Sequence, residues 1–270
     1  MHTRIGEPRP NMKNRRRRSW HLLVILTAMC APIGFLPVST PAIQQENQAE
    51  KEANFKQQAL GGLFHRWTFD QQKPDEVPAD FSQLTVGGDS EAVWTIGTDG
   101  QAPSPPNILK AGATCQTGTC YHLLVANKLQ YEYPDVSVRL RFPAEGGVGQ
   151  GGIVIGLKDE RHFYAAIVEV AAKKLEVIRV LDEQVTVLGE TAILPKSVDW
   201  HSLRVNRDTI ISKDVIEVFF DGRLTLSVQD QTLGLGQVGL LVRGKSPLYF
   251  DSLHAVPLFS QRPLSAPAAY

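Results

Sequence analysis

Five residues near the middle of the chain have the types and spacing to bind a polar ligand: Lys158, Asp159, Arg161, His162 and Tyr164. They crowd one predicted hairpin. There an aromatic ring flanked by a cation and a carboxylate can stack on a sugar and hydrogen-bond its hydroxyls. The same stretch also reads as a solvated turn, Lys158-Asp159-Glu160-Arg161, followed by an aromatic at the edge of the core. His201 follows Trp200 and has no carboxylate partner close in sequence, so it reads as structural rather than as a base. Arg243 and Lys245 read as loop charges. No phosphate-binding loop, HExxH zinc motif or nucleophile elbow occurs, and no residue is assigned a catalytic role.

The chain has three cysteines, and Cys115 and Cys120 are separated by Gln-Thr-Gly-Thr. An even pair in an exported domain reads as a disulfide. Free thiols, or half of a metal site, are the alternatives. A metal needs a second ligand pair, which His122 alone does not supply.

Export itself is read from the first 42 residues. Arg15 to Arg18 precede an uncharged run from Trp20 to Val38, and Thr40-Pro41-Ala42 offers small residues for cleavage after Ala42. That order is a secretory signal's. The run is also long enough to span a bilayer as an uncleaved anchor, although Pro32, Gly34 and Pro37 interrupt it. The expected location is therefore secreted, periplasmic or extracellular, or membrane-anchored facing outward. Residues 1–19 hold seven basic side chains against one acid, Glu7, so the rest of this electroneutral 270-residue chain carries a net charge of −6. No basic surplus is left there for nucleic acid.

The elements that would position these residues are strands. A polar linker occupies 43–62, a sandwich domain 63–257 and a tail 258–270. After an opening strand near 63–70 and another at 93–96, apolar segments recur at 121–125, 136–142, 152–157, 163–170, 175–181 and 185–188. They continue at 200–205, 215–220, 224–228, 238–242 and 248–253. Val136-Ser137-Val138-Arg139-Leu140-Arg141-Phe142 alternates with period two, one face toward the core and one toward water. Gly151-Gly152-Ile153-Val154-Ile155-Gly156-Leu157 is apolar throughout and is expected at the centre of a sheet, with close backbone packing at its glycines. Residues 165–181 could pass for a helix, but their β-branched content favours two strands around Ala171-Ala172-Lys173. Asp221-Gly222 predicts a two-residue hairpin with φ > 0 at both positions. Residues 71–88 and 99–106 read as loops from their prolines and glycines. The fold class expected is all-β, a two-sheet antiparallel sandwich of about a dozen strands in jelly-roll form.

The ordered motifs Phe69-Asp70, Trp94-Thr95-Ile96, Asp99-Gly100, Pro105-Pro106-Asn107-Ile108-Leu109 and Asp135-Val136-Ser137-Val138-Arg139 open a family resemblance. Gly151-Gly152-Ile153, Lys158-Asp159, Phe163-Tyr164-Ala165, Trp200-His201, Asp221-Gly222, Gly236-Gln237-Val238-Gly239-Leu240 and Phe250-Asp251-Ser252-Leu253 complete it. The set resembles the concanavalin A-like lectin/glucanase superfamily over roughly 64–256. Within it, the set is most similar to the bacterial secreted branch grouped with laminin-G-like and 3-keto-disaccharide hydrolase domains. The resemblance implies a jelly roll that binds carbohydrate or another cell-envelope component. It also implies an alternative activity, cleavage of 3-keto-disaccharides or related glycosides. A third reading, a tethered structural or adhesion domain, follows if the export run stays uncleaved and residues 43–60 serve as a stalk. Glucanase-type members carry Glu-x-Asp-x-x-Glu on one strand, which points both carboxylates into one cleft. This chain has no such run, and Glu169 and Glu217 stand alone. Where hydrolase members carry Asn-Ser-Gly, it has Gly149-Gln150-Gly151-Gly152-Ile153, which argues for binding rather than cleavage. Related sandwiches hold a structural Ca²⁺ between their first and last strands, which here implies Asp70 and Asp251. No other cofactor is expected, and a membrane is a partner only if the N-terminal segment stays uncleaved.

Overall fold

The computed structural model describes residues 59–60, 64–88, 93–112, 120–142, 149–195, 199–210, 212–244 and 247–258. All of them belong to the compact unit Pro41–Tyr270. The predicted signal, Cys115 and nearly all of the linker and tail lie outside the described residues. Among the described residues, no helix is long and apolar enough to cross a membrane.

Among the described residues, seventeen strands form in chain order. The first eight are β1 (Ala59–Leu60), β2 (His65–Trp67), β3 (Phe81–Val86), β4 (Val93–Thr98), β5 (Asn107–Gly112), β6 (Tyr121–Ala126), β7 (Gln130–Tyr131) and β8 (Pro134–Arg141). Then come β9 (Gln150–Asp159), β10 (His162–Glu169), β11 (Lys174–Leu181), β12 (Gln184–Ala192) and β13 (His201–Ile210). The last are β14 (Lys213–Phe220), β15 (Arg223–Gln229), β16 (Gln237–Arg243) and β17 (Leu248–Pro257). One sheet has seven strands in the order β12-β11-β10-β9-β16-β6-β3. The other has eight, in the order β15-β14-β13-β8-β17-β5-β4, with β2 also on β17. Every pairing is antiparallel, and β1 pairs with β7 apart from the two sheets. This is the two-sheet antiparallel β-sandwich expected.

Period-two alternation builds the core between the sheets. On β8, Val136, Val138 and Leu140 are buried while Ser137, Arg139 and Arg141 face away. Trp94 of β4 and Phe250 of β17 are fully buried, their ring centroids 5.8 Å apart. Ile153, Tyr164, Leu175 and Leu240 meet them from the seven-stranded sheet. On the far side of that same sheet a second buried cluster gathers Leu123, Val154, Phe163, Ile167, Ile178 and Leu241, drawn entirely from its own strands. Two apolar faces explain why β9, at its centre, reads as an uninterrupted apolar run. Gly152 answers a separate constraint, the close approach of the β10 backbone: an added Cβ would lie 1.7 Å from the Ala166 carbonyl oxygen.

The turns follow their sequence signals. Asp221 (φ 49°) and Gly222 (φ 75°) close β14 onto β15. Asp182 (φ 48°) and Glu183 (φ 69°) do the same between β11 and β12 without a glycine. Residues 165–181 form β10 and β11 around a turn at Lys173. Two strands are absent from the sequence reading, the first of them inside a segment read as a loop. Phe81–Val86 is the edge strand β3, with only its two ends buried, and half-exposed edge positions carry a diluted apolar pattern. Asn107–Gly112 is β5, directly after the prolines that suggested a turn. On one long side, β12 and β15 meet through Gly189, where a Cβ would stand 2.7 Å from Val228.

Gly152→Ala is expected to destabilise the domain by about 3 kcal/mol or more, the upper range for forcing atoms into a packed core. Gly234→Ala, which meets nothing within 4 Å, should stay within about 0.5 kcal/mol of wild type. Urea denaturation of the two variants measures the contrast.

Candidate functional site

The hairpins β9–β10 and β11–β12 both turn at the same end of the seven-stranded sheet, which brings their tips together. Asp159 Oδ1 lies 2.8 Å from His162 Nδ1 and accepts the Arg161 N–H at 2.8 Å. Burial opposes ionisation of Asp159, but these hydrogen bonds and the charges of His162 and Arg161 together outweigh it and hold its carboxyl below the usual range. Arg161 reaches across to Asp182 at 3.2 Å and to Glu183 at 3.7 Å. His162 Nε2 lies 3.4 Å from Asp182. Three of the five residues singled out in the sequence thus converge on one rim.

The other two do not join them. Lys158 donates from Nζ to the Leu235 carbonyl. Tyr164 faces the opposite way, into the core between the sheets, and is 1 % exposed. Strand alternation sends it there, because it stands one position on from Phe163, which belongs to the outer cluster. Its hydroxyl donates to Asp230 at 2.5 Å and accepts the Leu233 N–H at 2.9 Å. Burial and the Asp230 carboxylate push its pKa up to about 12.

The seven-stranded sheet curls toward its outer face. Arg243 on β16 and Glu176 on β11 are separated by two strands, about 14 Å of backbone at ~4.8 Å per step, yet their side chains meet at 3.0 Å. A polar ladder crosses this end. Arg243 donates to Gln150, Gln150 donates to Glu169 at 2.6 Å, and Lys174 pairs with Glu176 at 2.7 Å. Arg243 also lies 5.5 Å over the Tyr121 ring. It is thus a built part of this face rather than a loop charge.

Within the curl lies a cleft of about 470 Å³. Val86, Tyr121 and Val180 supply an apolar floor, and Glu160, Arg161, Glu183 and the exposed Val185 supply the wall. Sequence reasoning found Arg161 but missed Tyr121, Val86 and Val185. Tyr121 is 62 positions from Glu183 and shares no local pattern with it; its signal is the alternation Tyr121-x-Leu123-x-Val125, which marks the outer face of β6.

The remaining residues of interest lie elsewhere. His201 is buried, stacks on Phe220 at 5.1 Å and sits 3.0 Å from Asp221 Oδ2. The carboxylate partner absent from its neighbourhood in sequence arrives across the β14–β15 turn. Asp70 and Asp251 come together around Ser104, which donates its N–H to Asp251 at 2.6 Å and its hydroxyl to Asp70 at 3.0 Å. Burial, with the Asp70 charge adding to it, pushes the Asp251 carboxyl up. Cys120 is buried, its Sγ 3.7 Å from His122 Nε2. Its expected disulfide partner, Cys115, lies outside the described residues.

Tyr164→Phe is expected to cost about 1–3 kcal/mol of stability, the range for leaving buried partners unpaired, and to leave ligand binding at the rim unchanged. Burial opposes ionisation of Asp230, but hydrogen bonds from Tyr164 and Thr232 and the Arg179 charge outweigh it and hold its carboxyl below the ordinary 3.8. Its stabilisation is therefore complete above that value and is lost as the pH falls through the lower folded one. Asp230→Asn should flatten the acid limb of stability against pH. Parallel wild-type and variant curves in urea titrations from about pH 2 to 5 would remove this role from Asp230.

No family model matches the chain, and no curated protein does either. Solved structures are similar to it. The carbohydrate binding module CBM66 from Bacillus subtilis aligns at 14 % identity and a TM-score of 0.49, over 64 % of this chain and 94 % of that one. The cellulose induced protein Cip1 aligns at 12 % identity and a TM-score of 0.48, over 72 % and 98 %. A protein of unknown function with a galectin-like fold, also from Bacillus subtilis, aligns at 11 % identity and a TM-score of 0.47, over 73 % and 96 %.

Proposed function

We propose that this chain is an exported, non-catalytic binding domain whose ligand, a carbohydrate or another cell-envelope component, sits in the cleft of the curled seven-stranded sheet. The cleft itself supports this reading most directly. An apolar floor with one aromatic ring and a wall carrying one cation and two carboxylates is the mixture that sugar-sized ligands use: apolar contact for the body, a few polar groups for orientation. Two features favour binding over cleavage. Glu160 and Glu183 stand on exposed turns, and Glu183 is already paired with Arg161 at 3.7 Å. Glu169 and Glu176, deeper on the same face, are already committed to Gln150, Arg243 and Lys174. Polysaccharide pull-down and titration calorimetry with the exported protein test the reading. Arg161→Ala combined with Glu183→Ala is expected to weaken binding about tenfold or more, equivalent to ~1.4 kcal/mol, with an unchanged melting temperature. Wild-type protein that is folded yet retained by no polysaccharide in the panel would overturn the assignment.

The same reading includes a structural Ca²⁺ at Asp70 and Asp251. The donors there suit a hard cation that takes oxygen ligands. Beside the two carboxylates, the carbonyls of Phe69 and Gln72 converge on the Asn107 amide at 3.2 and 2.9 Å. The Gln72 side-chain oxygen is buried with no partner. A cation held by Asp70, Asp251 and Gln72 would offset the repulsion between the two acids. Calcium is expected to raise the melting temperature relative to chelator-treated protein, since an ion that binds only the folded state stabilises it. Identical melting curves with and without calcium would exclude the ion.

A further inference from the structure

The outer face of the eight-stranded sheet carries a second cleft, of about 430 Å³, on the other side of the sandwich from the first. Cross-strand register builds it from two rows. One row runs Phe219 on β14, Arg204 on β13, Ser137 on β8, His254 on β17 and Arg66 on β2, each the partner of the next. The adjacent row sets Ser202 against Arg139. Ser252 completes it at the β17 bulge, where φ is 52°.

Charge is segregated across these rows. Arg139 is exposed and makes no ion pair or hydrogen bond among the described residues. Arg204 spends Nε and one Nη2 hydrogen on Asp135, both at 2.7 Å, which leaves three of its five N–H donors. Its guanidinium lies 5.1 Å over Phe219. Asp135 and Glu217 both fall in the row on the far side of Arg204 from Arg139, as the partners of Asn206. Of the other carboxylates nearby, Asp221 is held by His201 and the Ser202 N–H, and Asp251 by the N–H groups of Ser104 and Ser252. The Nε2 of His254 is buried without a partner.

We propose that this cleft binds an acidic sugar, with its carboxylate, sulfate or phosphate between Arg139 and Arg204 and its ring against Phe219. Guanidinium forks match oxyanions in two-pronged hydrogen bonds, and the hydroxyls of Ser137, Ser202 and Ser252 supply further donors. The volume falls in the range of about 300–1,000 Å³ that holds organic ligands, so an inorganic ion alone would leave most of the space unfilled. The site is independent of the cleft on the seven-stranded sheet.

The test titrates the full-length protein at low salt with glucuronate, glucose 6-phosphate, glucose and inorganic phosphate. The two acidic sugars are expected to bind, more weakly as salt is added, and glucose is not. Arg139→Gln should weaken them at least tenfold and Arg139→Glu should abolish binding, both with the wild-type melting temperature because Arg139 is exposed. The Arg161→Ala, Glu183→Ala variant should bind them as wild type does. Glucose binding as tightly as glucuronate, or an unaffected Arg139→Gln, would overturn the site. Inorganic phosphate matching glucose 6-phosphate would overturn the sugar, and loss of binding in the Arg161 variant would move the site to the first cleft.

Discussion

The last strand holds the sandwich together. β17 lies in the middle of the eight-stranded sheet, between β8 on one side and β5 and β2 on the other. Without it that sheet falls into a four-stranded piece, the β4–β5 pair and β2 alone. None of its partners is near it in sequence, so the pairing must form against loop-closure entropy before the ladder rewards it. Its side chains serve three environments at once. Phe250 and Leu253 enter the core, Asp251 turns to Ser104, and His254 lies along the outer surface. The bulge between Asp251 and His254 makes this division feasible, because an extra residue re-aims the chain locally.

The two sheets differ in chemistry although they share one core. The seven-stranded sheet is apolar on both sides, with a polar ladder only at one end and charged hairpin tips at the other. Its centre therefore consists of residues that need no water: Ile153, Val154, Ala165 and Ala166 among them. The eight-stranded sheet presents arginines, serines and aromatics outward. Arg141 is sandwiched there between Trp200 at 4.8 Å and Tyr249 at 5.0 Å, with Asp99 2.6 Å away. One sheet thus offers shape and apolar area, and the other offers charge and hydrogen bonds.

Much of this was legible in the sequence where one physical rule acts alone. Alternation placed Val136, Val138 and Leu140 inward, and the Asp221-Gly222 pair set its turn. Where two rules compete, the sequence was ambiguous. Phe81–Val86 is a strand, but its edge position leaves it half polar, and nearby prolines and glycines pointed to a loop. Tyr164 has the right type and neighbours for a binding residue, but alternation after Phe163 turns it into the core, and with both faces of β10 apolar the sequence does not show which is the inner one. The cleft was half legible for a further reason. Arg161 and Glu183 sit on turns that announce themselves, whereas Tyr121 and Val86 arrive from β6 and β3 only once the sheet has curled.

The pairing of β2 with β17 has a mechanical side. Because the strands are antiparallel, with His65 opposite Ala255, the backbone enters β2 beside the point where it leaves β17. A pull applied through the two ends of the sandwich would load this ladder from its open end, one hydrogen bond after another, rather than all bonds together in shear. The three-residue β2 would peel away first. Under tension, then, the sandwich yields at this seam before its core is disturbed.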